Sequence, residues 1–496
     1  MGRLRGRLRE TPCSYLCDVT AEAVSSSASD GGGGGRAQRP AFAIREAHAH
    51  LASLGEALLM PNLAECPTVG ACLEACRAEA ARQRAAGLPV FVRMKSVRVE
   101  GWTEHRWPTM AEMDAAVPDG PCVLMSFDHH AAAANTAAFA RAGLAPGQVV
   151  PPSGVVVTDA AGQATGLLLE HAAYAAWNAA PEPTASERTE RLEAALEHLA
   201  GLGFAEVHDL LSQDWLGPAL GELEQKGRLR LQRVRLYAPV ARLTDLWAGR
   251  RQWESERVSL AGGKVFADGT LNSRTALMIH RYCDALPAAP RGRAMVSPAS
   301  LDESVRLADG LGMDLAVHAI GDGAVRMVLD SVERVRPSRC RVRIEHAEVV
   351  DKADVGRFVA LGVDCSVQPC HLLTDIEALT RYVPHRLDRV LPLKELLASG
   401  LRPGWLACDE GPVAAGGGGG GGGRKREAGL VFGSDVPIVP AEPGDSLTAA
   451  VLRRRTGMAA EGAIAPEQAI TPEQAWACFA MPGAMTGAGS AVRAGA

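Results

Sequence analysis

Residues 314–347 run Asp314-Leu315-Ala316-Val317-His318-Ala319, pass through a helical pattern over Gly323–Val335, and return as Arg341-Val342-Arg343-Ile344-Glu345-His346-Ala347. Two short apolar runs joined by such a segment form a β-α-β unit, because parallel strands need a crossover longer than a hairpin turn. Each run ends near a histidine. The alternation continues in both directions, with strands expected at Phe42–His50, Phe204–Leu210, Leu229–Ala238, Gly263–Ala267, Val363–Gln368 and Leu430–Asp435. Helical patterns such as Ser186–Leu202, Ser300–Leu311 and Asp351–Leu361 lie between them. Together these make eight strands, and the expected fold class is α/β, a TIM-like (β/α)8 barrel.

Composition fits that class. The 496 residues are 47% hydrophobic and 22% charged, enough for one large core or two medium ones. With 52 Lys+Arg against 57 Asp+Glu the net charge is -5, without the basic excess that nucleic-acid binding needs. No stretch reaches the ~18 unbroken apolar residues of a membrane helix. Neither nucleic acid nor membrane is therefore expected as a partner. The 12 cysteines are scattered from Cys13 to Cys478 without a C-x-x-C pair, which favours a reducing, cytoplasmic setting. Cys66, Cys72 and Cys76 read as small buried side chains.

Residues 1–40, Arg-rich at first and closing in Gly31–Gly35, are expected to be a disordered tail, with organelle import as the alternative. Residues 41–60 hold the first strand and its loop, 61–185 an insertion subdomain, 186–485 the rest of the barrel, and 486–496 a C-terminal tail. The insertion should carry its own small sheet, from Pro89–Val97, Cys122–Phe127 and a hairpin at Gly154–Thr158 and Thr165–Leu169. A glycine-rich loop over 409–428 lacks the Gly-Lys-Ser/Thr and the strand–helix setting of a phosphate loop, and reads as an insertion.

Metal-competent side chains recur at strand ends. His48 and His50 are two apart on the first strand, so both imidazoles face the same way. His318, His346 and Asp435 end later strands, and Lys264 stands at the head of the fourth. In a (β/α)8 barrel the C-terminal strand ends converge on one mouth. Singly, each residue has an ordinary structural reading: a hydrogen-bonded core histidine, an Asx turn at Asp435, or a lysine bonded to a carboxylate. A lysine beside two divalent cations can instead be stored as a CO₂-derived carbamate, an anionic bridge.

Several blocks, in order, resemble the amidohydrolase superfamily and within it amidohydrolase family 3, the formamide-deformylase-like metal-dependent hydrolases. They are Ala47-His48-Ala49-His50, Asp128-His129-His130 with Asn135, Lys264–Leu271 with Ser273–Ala276, Val317–Asp322, Ile344–Ala347 and Gly433–Pro437. The resemblance implies a metal-dependent hydrolase on a TIM-like barrel with a long insertion after strand one. It also implies a small accompanying β-sandwich, which looks truncated or absent here. One zinc would be held by His48, His50 and Asp435 and a second by His318 and His346, with carbamylated Lys264 bridging. One or two Zn²⁺ per chain are expected, and other divalent metals remain open. Asp435 would be the general base for a metal-activated hydroxide cleaving a non-peptide C–N bond in a small-molecule amide, formamide or cyclic amide. His130 and Asn135 would line the substrate pocket, although Asn135 also reads as a helix N-cap. Asp322 reads as a helix-capping or supporting residue. The rivals are a single-metal deaminase-like site with unmodified Lys264, and a catalytically degenerate barrel used for binding. A homo-oligomer is a further expectation.

Overall fold

The computed structural model describes residues 42–126, 131–150, 154–285, 289–406 and 427–481. They divide into two compact units, one running to Gly55 and resuming at Leu192, the other spanning Glu56–Arg191. The second unit spans the whole of the expected insertion, 61–185, and takes in residues 56–60 and 186–191 from the edges of the expected barrel segments, whose remainder falls in the first unit.

The first unit is built on a curled parallel sheet. Its strands are β1 (Ile44–Ala49), β2 (Phe204–Asp209), β3 (Arg233–Pro239), β4 (Val258–Phe266), β5 (Asp314–Ala319), β6 (Val342–His346), β7 (Asp364–Val367) and β8 (Gly429–Phe432). They are hydrogen-bonded in that order, with a short ninth strand, Arg402–Pro403, beside β8. Each strand thus overlaps its expected run, and the pairings are parallel because a helix or long connection returns the chain between them. Two backbone hydrogen bonds bring the far ends together: Asp435 N–H donates to His48 O (2.7 Å) and His50 N–H to Val436 O (2.9 Å).

The helices bury one stripe each against the sheet. Helix Asp322–Val335 buries Val325, Val328, Leu329 and Val332, spaced three and four apart. Helix Pro298–Leu311 starts at an N-cap, where Ser297 accepts from Ser300 N–H, and stops at Gly312 with φ 66°. Each fully buried aliphatic side chain contributes roughly 1.5–3 kcal/mol.

One boundary expected from the sequence is corrected. β4 begins at Val258, so Lys264 lies near the C-terminal end of its strand rather than at its head. The expected run opens at Gly263, whereas the strand passes through Gly262 and Gly263. The register slips between Leu260 and Gly262, and a Cβ on Gly262 would stand 2.2 Å from Asp314 O. Only glycine lets β4 and β5 approach this closely.

The space enclosed by the curl is polar near its middle. Arg343 on β6 donates through Nη1 to His208 Nδ1 on β2 (2.7 Å) and through Nη2 to Ala47 O on β1 (2.7 Å), although neither strand is its neighbour. An imidazole that accepts at Nδ1 carries its proton on Nε2, and His208 Nε2 donates to Glu206 Oε1 (2.7 Å). Arg45 Nε donates to the same oxygen (2.9 Å). All four side chains are buried. Burial lowers the His208 pKa to about 3, against the raising effect of Glu206.

The second unit holds a six-stranded mixed sheet in the order Val92–Val97, Cys122–Ser126, Ala131–Ala134, Ala164–Leu169, Gly154–Thr158 and Val149–Val150. It contains the two runs and the hairpin expected there. The glycine-rich loop and the tails, with the question of an accompanying sandwich, lie outside the described residues. Among the described residues no helix is long and apolar enough to cross a membrane.

Two stability measurements test this account. Gly262→Ala should cost more than about 2 kcal/mol through backbone collision, whereas Gly310→Ala, whose Cβ would meet nothing within 4 Å, should be neutral or stabilise by up to about 1 kcal/mol. Urea midpoints decide between equal and unequal effects. The His208 imidazole is neutral when folded but titrates near 6.5 when unfolded, so the unfolded chain binds a proton that the native site refuses. Its contribution is complete above about pH 6.5 and is lost as pH falls toward 3. The fall in stability across that window should be shallower in His208→Asn than in the parent; an identical slope would contradict this burial.

Candidate active site

The six side chains singled out from the sequence line one cavity of about 490 Å³ in the first unit: His48, His50, Lys264, His318, His346 and Asp435. Each arrives from a strand end. His48 points into the cavity from β1 and His50 follows two residues later, their ring centroids 5.5 Å apart. His318 and His346 come from the adjacent strands β5 and β6 and stand 4.4 Å apart, with His346 4.9 Å from His48. Asp435 follows β8. Its backbone φ of 65° and that of His346, 72°, are left-handed, a conformation that Asp and His adopt at modest cost.

Asp435 is the meeting point. Its Oδ1 lies 2.9 Å from His50 Nε2 and 3.4 Å from His48 Nε2, while Oδ2 lies 4.0 Å from His371 Nε2. Two sets of donor atoms stand close enough to share an ion, each set within 4.8 Å: His48, His50 and Asp435, and His346, His371 and Asp435. The first set was expected. The second replaces His318 with His371, which the sequence reading passed over. His371 opens helix His371–Tyr382, a few residues beyond β7. The available signal was that β7 alone among the later strands had no metal-competent residue assigned at its end. His318 Nε2 faces Gly269 O at 3.1 Å and Asp268 Oδ1 at 3.7 Å instead.

Burial sets the charge states. It lowers the His48 pKa to about 4 and that of His318 to about 3, with Lys264 acting in the same direction on both. His346 is driven well down by burial and by the neighbouring imidazoles. These rings are neutral at pH 7, the form that binds metal ions. Burial opposes the ionisation of Asp435, but His48 and His50 hold its carboxyl well below the usual range. Burial brings the Lys264 amine down to about 8. Lys264 Nζ and His346 Nδ1 are buried without a hydrogen-bond partner among the described residues.

A carboxylate behind the site orients His48. Glu345 Oε2 accepts from His48 Nδ1 at 2.8 Å, which leaves Nε2 unprotonated toward Asp435. Glu345 is fixed in turn by Arg343, through Nε to Oε1 and through Nη2 to Oε2 (3.1 Å). On the other flank Glu46 accepts from His48 N–H, Ser434 N–H and Ser434 Oγ, each at 2.9 Å. Burial raises the Glu46 pKa to about 8.

Two other residues stand elsewhere. Asn135 belongs to the second unit and is the N-cap of helix Thr136–Ala142. Its Oδ1 accepts from Cys122 N–H (2.9 Å) and Ala138 N–H (3.0 Å), and its Nδ2 donates to Gly120 O (2.9 Å) and Val117 O (3.2 Å). The pocket-lining role expected for it gives way to the capping one, since every polar atom of the carboxamide is engaged. His130 lies outside the described residues. Asp322 is a supporting residue, accepting from Ile279 N–H (2.7 Å) and Arg386 Nη2 (2.6 Å).

Comparisons with known proteins bear on this geometry. The amidohydrolase family model matches residues 35–407. YtcJ of Bacillus subtilis (strain 168), named as an amidohydrolase, is 28% identical over 419 residues, covering 82% of this chain and 72% of that protein. N-substituted formamide deformylase of Arthrobacter pascens is 26% identical over 315 residues, covering 60% of this chain and 57% of the relative. LONG AFTER FAR-RED 3 of Arabidopsis thaliana is 31% identical over 375 residues, covering 71% and 59%. An uncharacterized metal-dependent hydrolase from Pyrococcus horikoshii OT3 superposes with a TM-score of 0.68 at 25% identity, over 88% of this chain and 79% of that one. A match that spans most of the chain, on a fold shared with a metal-dependent hydrolase, means that this protein belongs to the amidohydrolase family, hydrolases of carbon–nitrogen bonds other than peptide bonds.

Proposed function

We propose that the curled sheet closes as a TIM-like barrel and that the cavity at its strand ends hydrolyses an amide, formamide or cyclic amide of a small molecule with two divalent ions. One observation carries the two-ion reading: a single carboxylate, Asp435, is shared by two separate sets of donor atoms. The donors suit metal on chemical grounds, being imidazoles, of which burial keeps His48 and His346 neutral, and an ionised carboxylate, and the orphaned His346 Nδ1 and Lys264 Nζ await a partner. His48, His50 and Asp435 would hold one ion and His346, His371 and Asp435 the other, with zinc the best fit to this N/O set. Divalent ions bound here would acidify water from a pKa of 15.7 toward roughly 7 and polarise the scissile carbonyl.

The chain's own groups do the rest. Asp435, kept ionised, accepts the proton of the attacking water and hands it to the departing nitrogen. Glu345 holds the His48 proton on Nδ1, so Nε2 stays available to a ligand. Phe266, Leu271, Ile320 and Val439 line the cavity with apolar surface that restricts bulk water. Burial lowers the Lys264 pKa and so favours the free amine, the form that adds CO₂. A carbamate on Lys264 is therefore part of this proposal. The cytoplasm is its expected location.

Elemental analysis of the purified protein and of Lys264→Ala tests the pair. About two zinc per chain, falling in the variant, fits a bridged site; one zinc unaffected by the substitution would replace it with a single-metal, deaminase-like centre. Asp435→Asn should lower kcat toward a formamide or amide by about 10²–10⁴-fold; parent-like turnover would remove Asp435 from proton transfer. Glu345→Gln should weaken zinc binding by about 10–100-fold in a chelator competition. An unchanged zinc affinity would show that His48 needs no orienting carboxylate.

A further inference from the structure

The same cavity carries two carboxyl groups that hydrolysis does not use. Glu348 and Asp375 both line it, at 4% and 7% exposure. Glu348 follows β6 by two residues, and Asp375 lies on the helix that His371 opens. Asp375 is four residues beyond His371, one helical turn or about 5 Å farther along the same face.

Among the described residues neither carboxyl forms an ion pair. Asp375 Oδ1 accepts from Asn272 Nδ2 (2.7 Å) and Thr374 Oγ1 (3.4 Å), both neutral donors. Glu348 Oε1 is buried without a hydrogen-bond partner among the described residues, and burial together with the nearby Asp375 and Asp268 carboxyls pushes its pKa well up. Glu348 falls in neither set of donors able to share an ion. Other buried carboxylates of this unit are matched by guanidinium groups, as Glu206 by Arg45, Glu345 by Arg343 and Asp322 by Arg386, or have both oxygens engaged by hydrogen-bond donors, as Glu46 and Asp268 do. A buried carboxyl facing an open cavity, with acceptor atoms unused and no positive neighbour, is costly unless a ligand completes it.

We propose that Glu348 and Asp375 form a subsite for a positively charged nitrogen of the substrate, so that the enzyme prefers small amides bearing an ammonium or guanidinium group. This rests on the hydrolase reading above for the bond that is cut. Such a group donates N–H to Glu348 Oε1 and to the remaining oxygen of Asp375, and supplies the missing charge. With Asp375 one turn from His371, the charged nitrogen and the scissile carbonyl would be separated by only a few bonds.

The test is calorimetric binding of n-butylguanidinium and of its neutral isostere n-butylurea to the metal-loaded protein, with Glu348→Gln and Asp375→Asn beside the parent. The parent should bind the cation at least about tenfold more tightly, and the preference should shrink to within about twofold in each variant. Equal affinities in the parent would overturn the subsite, and this result needs no variant to fold. A preference that survives both substitutions would overturn it equally, leaving the two carboxyls as a proton-sharing structural pair. Hydrolysis of matched cationic and neutral N-alkylformamides separates the two proposals. Charge-selective binding with no amide cleaved would sink the hydrolase reading and leave the subsite standing. Cleavage of both at equal kcat/KM would do the reverse.

Discussion

The hydrogen bond from Asp435 N–H to His48 O, 2.7 Å long, is the constraint on which the site depends. It ties the loop after β8 to the end of β1 and sets the carboxylate of one residue against the imidazoles of the other. With the neighbouring bond from His50 N–H to Val436 O (2.9 Å), it brings β1 and the loop after β8 together at the donor cluster. Its geometry is narrow. A Cβ on Gly433 would stand 2.5 Å from His48 N and 2.7 Å from Glu46 Oε1, so any larger residue would push the loop off the strand.

Around that contact the electrostatics are graded by depth. At the cavity wall the imidazoles are neutral because burial disfavours their charged form. Deeper in the enclosed space, carboxylates are paired with guanidinium groups, as in Glu345 with Arg343 and Glu206 with Arg45. Such pairs offset their own desolvation only when every lone pair is occupied, and the sharing of Arg343 among Glu345, His208, Ser366 and the Ala47 carbonyl meets that condition. The result is a rigid floor beneath His48. Rigidity matters because ligand donors must be held in place before an ion arrives.

Kinship with the amidohydrolase family and the local geometry reinforce each other at different levels. The family match covers strands β1 through β7 and ends before β8, yet the structure carries the arrangement on to Asp435, where the shared carboxylate sits. The names of the relatives differ, from a deformylase to a plant protein named for far-red light. What they act on is a property of pocket walls rather than of the donor cluster. In this chain the wall residues that stand out are Glu348, Asp375 and Asn272.

The eight strands were legible because apolar runs of strand length alternated with helical periods, a local signal that needs no knowledge of contacts. His48, His50, His318, His346 and Asp435 were legible because a strand's C-terminal end is a place the chain itself marks. Lys264 was seen but misplaced, since the expected run opened at Gly263 and the part of β4 from Val258 to Gly262 was not read as strand. His371 and Glu348 were not seen, one beyond a turn and the other past the end of its strand, where local pattern carries no direction. Of the two readings open for Asn135, the structure shows the cap, with Val117, Gly120 and Cys122 brought around its carboxamide. Sequence periodicity dictates which segments become strands, because that choice depends on near neighbours. Which side chains share an ion, which carboxyl lacks a counter-charge and which amide is consumed by backbone depend on residues brought together from distant parts of the chain, and only folding specifies those.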